Sequence, residues 1–306
     1  MRNAHVAGVV FLLYTGVAAA WGPATHMYIA QCVAESQHDD ILFGAALPDL
    51  NATLSSQPQI ASALNRLTHF EADLLPPSYL AIGMVTHNGD WGADYYAHIF
   101  FHPEDPDSAT TYSSLKISEF RSVLGVTSGQ AEDLLEMTMD YLVRMDNGPQ
   151  VGNWIVRSAR AFGPHQEQMM VDAFAQPLSD RVPGLALEDA ESNIRTACAA
   201  FKFLTDTFGI QLQREDEDIA SAIPPLLARY MHIDEETAAT YFEYAVAACQ
   251  EDHQAELDRI CANIRSRFAD MPEYEMPLGP GAAILVAVLL LACAARKLRR
   301  NSGRHA

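Results

Sequence analysis

Apolar residues recurring with a period near 3.6 constrain this chain more than any other feature. They run through ATHMYIAQCVAES from Ala24, IASALNRL from Ile60, AEDLLEMTMDYLVRM from Ala131, LEDAESNIRTACAAFKFLTDTF from Leu187, and DEETAATYFEYAVAACQEDHQAELDRICANIRSRF from Asp234. Each places its apolar side chains on one helical face. Strand-type alternation is nearly absent, so the chain predicts an all-α, multi-helix bundle. Breaks fall where Pro, Gly and Asp gather: ALPDL, LLPPS, HPEDPDS, DNGPQ, FGPH, RVPG and AIPP. Of these, ALPDL and HPEDPDS are candidates for the mouth of a functional site.

The two ends carry different signals. Arg2, an apolar run from Val6 to Val17 and three alanines before Trp21 read as a signal peptide over residues 1–20, with Trp21 as the mature N-terminus. Residues 277–306 join GAAILVAVLLLACAA to a cluster of Arg and Lys, which predicts a C-terminal membrane anchor or sorting tail with its basic end held inside. The body, residues 21–276, is then expected outside the cytoplasm, periplasmic or at the cell surface. It carries 14 basic and 39 acidic residues, a net charge of −25. Such a field repels polyanions and argues against extended nucleic-acid binding. Cys32, Cys198, Cys249 and Cys261 are candidates for disulfides in an oxidising compartment, Cys249 and Cys261 being closest in sequence; for Cys32 and Cys198 a small buried apolar residue is the equal alternative.

Six of the 11 histidines lie in the first third of the mature chain, and five of them, His26, His69, His87, His98 and His102, are grouped with Asp49, Asp90 and Asp94 as candidates. Clusters of imidazole and carboxylate are what divalent zinc selects. On a helix advancing about 100° per residue, Asp94 and His98 fall within about 20° of His87, while Asp90 and His102 flank that stripe. Gly83, Gly89 and Gly92 weaken the helix but would let a neighbouring backbone approach. Glu132, Glu136 and Asp140 form a second stripe without interleaved Lys or Arg, which points either to a solvated face or to a metal or basic partner.

The segments WGPATHMYIA, GAALPDL, LTHFE and VTHNGDWGADYYAHIFFHP together resemble the zinc-dependent phospholipase C family, related in fold to the zinc-dependent single-strand nucleases of moulds and plants. The resemblance implies two or three zinc ions. One would be held by Asp49, His69, His87 and Asp94. A second would be held by the amine and carbonyl of Trp21 with His26, sharing Asp94. A third would use His98 and the helix of Glu136. It further implies that Asp49 serves catalysis by orienting the nucleophile or taking its proton, and that the substrate is a phospholipid or another phosphodiester. The chain departs from the family pattern in two places. Glu132 stands where a histidine is expected, and seven residues rather than four separate His87 from Asp94. A membrane-tethered metal-binding module without catalysis, or a zinc nuclease, is the alternative.

Overall fold

The computed structural model describes residues 21–98, 111–268 and 271. The expected signal peptide, the C-terminal segment 277–306 and His102 lie outside the described residues, as does the HPEDPDS loop. Among the described residues there are thirteen α-helices, two 3-10 helices and no strand: α1 (Pro23–Ala34), α2 (Asp39–Ala46), a 3-10 helix (Leu47–Leu54), α3 (Pro58–Phe70), a short 3-10 turn (Ala72–Leu74), α4 (Tyr79–His87), α5 (Ala93–Ala97), α6 (Tyr112–Leu124), α7 (Ser128–Asn147), α8 (Gln150–Ala161), α9 (Pro164–Arg181), α10 (Leu187–Leu212), α11 (Asp216–Met231), α12 (Glu235–Cys249) and α13 (His253–Phe268). The all-α expectation holds.

Helix ends follow local chemistry. Ser78, Thr111, Thr127 and Asp234 cap α4, α6, α7 and α12 through their side chains, and Thr127 forms a reciprocal capping box with Gln130. The core is continuous, with Trp21, Phe43, Phe120, Phe174 and Phe201 almost wholly enclosed. Helix α2 lies near its centre, against α1, α4 and α8, and this packing brings the C-terminus of α4 to the first turns of α1.

Several boundaries differ from the sequence expectations. The pattern from Asp234 to Phe268 is two helices, parted at Gln250–Asp252. Helix α6 holds that turn: Lys116 bonds the Ala248 carbonyl and pairs with Asp252 at 2.9 Å, and the Tyr112 hydroxyl donates to Asp252 at 2.9 Å. The prolines of AIPP do not break the chain but sit inside α11. The carbonyls that lose their donor to Pro224 and Pro225 belong to Ala220 and Ser221, which are solvent-accessible, so water can take the place of the missing N–H groups. The PDL segment is not an open loop: Leu47–Leu54 is a 3-10 helix whose Leu47, Pro48, Asp49 and Leu50 are buried. Finally, α4 stops at His87 and α5 starts at Ala93, so His87, Asp94 and His98 do not share one helical stripe. Gly92 turns the chain there, where a Cβ would lie 2.5 Å from the Asn88 amide nitrogen.

Candidate metal centre

The first turn of α1 has no side-chain cap of its own and begins Gly22–Pro23. Its exposed N–H groups are taken by a carboxylate from another helix. Asp140, on α7, accepts from the Thr25 amide at 2.8 Å, the Thr25 hydroxyl at 2.7 Å and the Ala24 amide at 3.3 Å. Only glycine fits beside it, since a Cβ on residue 22 would lie 2.2 Å from Asp140 Oδ2. This contact fixes Trp21, whose side chain is fully buried, and directs His26 inward.

His26 is 1% exposed, yet neither of its ring nitrogens has a hydrogen-bond partner, and its ring stacks on His87 at 4.1 Å. Burial, then the neighbouring His87, holds its pKa well below the usual histidine value, which keeps the imidazole neutral and a lone pair available. His69 and His87 end α3 and α4. Each is oriented by a backbone carbonyl behind it: His69 Nδ1 bonds Asn65 O at 2.9 Å and His87 Nδ1 bonds Ala45 O at 2.8 Å. Such outer contacts set the tautomer and aim Nε2 forward, the usual support of a ligating histidine.

Two carboxylates meet those nitrogens. Asp49 Oδ1 lies 3.4 Å from His69 Nε2 and 3.8 Å from His87 Nε2, while Asp94 Oδ1 lies 3.9 and 3.6 Å from the same atoms. His98 follows α5 and is gripped from both sides, Nε2 being 3.0 Å from Asp94 and Nδ1 2.7 Å from Glu132. Donor atoms of His26, Asp49 and His87 lie within 4.8 Å of one another, as do those of His69, His87 and Asp94. His87 is therefore common to both groups, where the resemblance expects Asp94 to be shared.

The electrostatics are those of an uncompensated cluster. Among the described residues, every ion-pair partner of Asp49 and Asp94 is a histidine. Burial opposes charge on Asp94, but His98 and His69, with His87 nearby, hold its carboxyl well below the ordinary range. Burial likewise opposes charge on His98, yet Asp94 and then Glu132 push it up to about 10. Burial also works against His87, and Asp49 and Asp94 outweigh it in the upward direction. Glu136 has its Oε1 enclosed without a partner. Burial followed by Asp133, Glu132 and Asp49 raises its carboxyl well above the ordinary range. Carboxylates packed this closely and offset only by imidazoles fit a divalent cation, as do the unpartnered nitrogens of His26 and His87.

The structure thus gathers His26, Asp49, His69, His87, Asp94 and His98 with Glu132 and Glu136 beside them, and leaves Asp90 exposed at the surface. The stripe of Glu132, Glu136 and Asp140 is not a solvated face. One member holds His98, one has an enclosed oxygen, and one caps α1. The supporting carbonyls of Asn65 and Ala45 are invisible to sequence reasoning, because a backbone acceptor leaves no residue signature. In the second half of the chain, Glu167 pairs with Arg195 at 2.8 Å, and buried His253 bonds Asp146 at 2.7 Å, so both are engaged structurally. Comparison with protein families, curated proteins and solved structures returns no match for this chain.

Proposed function

We propose that the protein is an exported zinc-dependent phosphodiesterase, of the phospholipase C type that splits the glycerol-phosphate bond of a phospholipid. The observation that carries this reading is the buried set of His26, Asp49, His69, His87 and Asp94, drawn from five separate helical elements, with free imidazole nitrogens facing two carboxylates. Zinc bound there supplies Lewis-acid activation of water and stabilises charge at phosphorus. The chain's own residues divide the remaining work. His69 and His87, fixed from behind by Asn65 and Ala45, hold their Nε2 atoms in place. Asp49 Oδ1 faces the same space and accepts a proton from the attacking water. Asp94 anchors His98, and the walls of α1, α3 and α4 exclude bulk water. Export rests on the apolar start of the chain, and membrane attachment on residues 277–306.

Elemental analysis of the correctly processed protein, joined to hydrolysis of a chromogenic choline-phosphate ester, tests this reading. Two or three zinc ions per chain, with activity abolished by a chelator and restored by zinc, are expected. Asp94→Asn is expected to lose both metal and activity. One observation favours a second reading: Glu132 occupies His98 Nδ1 at 2.7 Å where another metal ligand is expected. A protein that binds zinc tightly but leaves lipid and nucleotide diesters intact would be a membrane-tethered metal-binding module and would end the hydrolase reading.

A further inference from the structure

Helix α13, the last one described, packs on α1 well away in sequence, and their shared face holds two thiols. Cys261 points its sulfur at the Ile29 carbonyl, 4.0 Å away, one turn from Cys32 on α1. Arg265, one turn beyond Cys261, donates to the Cys32 carbonyl at 2.6 Å and lies 3.4 Å from the Cys32 sulfur. Ile29 and Cys32 share one face of α1, as Cys261 and Arg265 share one face of α13, so both pairs meet across a single contact. Gln254 and Tyr28 bond at 2.9 Å in the same interface. The cysteine that faces Cys261 across this contact is therefore Cys32, whereas Cys249 is the last residue of α12.

Exposure differs in a way that suits thiol–disulfide exchange: Cys261 is 1% exposed and buried, whereas Cys32 is half-buried and reachable from solvent. From this geometry we infer that Cys32 and Cys261 form a redox-active pair that a small disulfide such as oxidised glutathione converts to an intramolecular disulfide tying α13 to α1. The Cys32 thiolate attacks one glutathione sulfur, forming a mixed disulfide and expelling glutathione thiolate. Cys261, whose thiol burial pushes up, then gives up its proton as it attacks the Cys32 sulfur and releases the second glutathione, which makes this the slower step. Two protein thiols lose two protons and two electrons, and one glutathione disulfide is reduced to two glutathiones. The bond closes a loop of roughly 230 residues between the helix that carries His26 and the last described helix, which constrains the unfolded chain strongly.

The test uses the full mature chain incubated with oxidised glutathione, alkylated, digested without reduction and mapped by mass spectrometry. The expected result is loss of two alkylatable thiols, a linked pair of peptides carrying Cys32 and Cys261, and a Tm several degrees higher that returns on reduction. Cys32→Ser is expected to abolish the link and the Tm shift, and Cys249→Ser to keep both. A glutathione adduct persisting on Cys32 while Cys261 stays alkylatable would overturn the proposal, as would a Cys249–Cys261 link. Because Cys32 is partly exposed, its serine variant keeps the test decisive even if a Cys261 variant fails to fold.

Discussion

Asp140 is 5% exposed and gives its carboxylate to the first turn of a helix 115 residues away in sequence. Burial pushes its carboxyl up to about 6, although the bonds from Thr25 and Ala24 pull the other way. A carboxyl whose folded value lies above its unfolded value binds its proton more tightly in the fold. Its contribution is complete at low pH and is lost as pH rises from about 4 to about 6, on the order of 3 kcal/mol. Urea titrations across that window should show this decline, and Asp140→Asn, which keeps an acceptor for Thr25 but cannot titrate, should make it shallower, leaving the part that Asp133 and Glu136 contribute; an unchanged slope in the variant would assign the effect elsewhere. Asp140→Ala leaves the Ala24 and Thr25 amides without their cap, and should cost about 1–3 kcal/mol at neutral pH. The charge of Asp140 was readable from its place in an acidic stripe. Its partners were not, because backbone N–H groups are the same in every residue. His26, Asp49, His69, His87, Asp94 and His98 were legible as types suited to zinc, while the exposure of Asp90 depends on a turn that helical periodicity does not foresee.

Helices α2 and α4 approach through two glycines. A Cβ on Gly83 would lie 2.2 Å from the Ile41 carbonyl oxygen, and one on Gly44 would lie 2.5 Å from that of Leu80. The same contact sets the metal centre, because His87 ends α4 and bonds the Ala45 carbonyl on α2. Gly83→Ala must push the helices apart, for backbone rather than a flexible side chain stands in the way. A loss of about 1–3 kcal/mol in denaturant unfolding is expected, together with lower zinc occupancy by elemental analysis. Gly129→Ala is the control: nothing lies within 4 Å of its added methyl, and a helix gains stability from alanine, so it should leave zinc content unchanged. Retention of full zinc by Gly83→Ala would uncouple the helix contact from the site. Most helices could be read from apolar periodicity, and the use of small residues for close backbone approach could be anticipated at Gly83. The split at Gln250–Asp252 could not, since Lys116 and Tyr112 of α6 hold that turn, whereas the break at Asn88–Gly92 is local, the Asn88 side chain accepting from the Asp90 and Trp91 amides at 2.8 and 3.2 Å.

The charge of the whole molecule bears most directly on its relation to metal. A body carrying −25 resists compaction through self-repulsion, and the buried carboxylates concentrate that cost at one place. All-α architecture and acidic character were visible in the sequence; the meeting of Asp49 and Asp94 at His69 and His87 was implied by the resemblance and not by periodicity, because the centre is built from elements distant in the chain. Among the described residues no helix is long and apolar enough to cross a membrane. A divalent cation that binds the folded centre and not the unfolded chain stabilises the fold by about 2.7 kcal/mol when present at 100 times its Kd. For a domain of this size, with a shift of about 2–4 °C per kcal/mol, that corresponds to a Tm rise of about 5–10 °C per occupied site. Stripping the protein with a chelator should lower Tm by this amount, and zinc should restore it. Asp94→Asn, with the central carboxylate removed, should respond to neither treatment. If the stripped and zinc-loaded wild-type proteins unfold at the same temperature, the clustered carboxylates hold no metal in the fold, and the histidines that pair with them must balance them unaided.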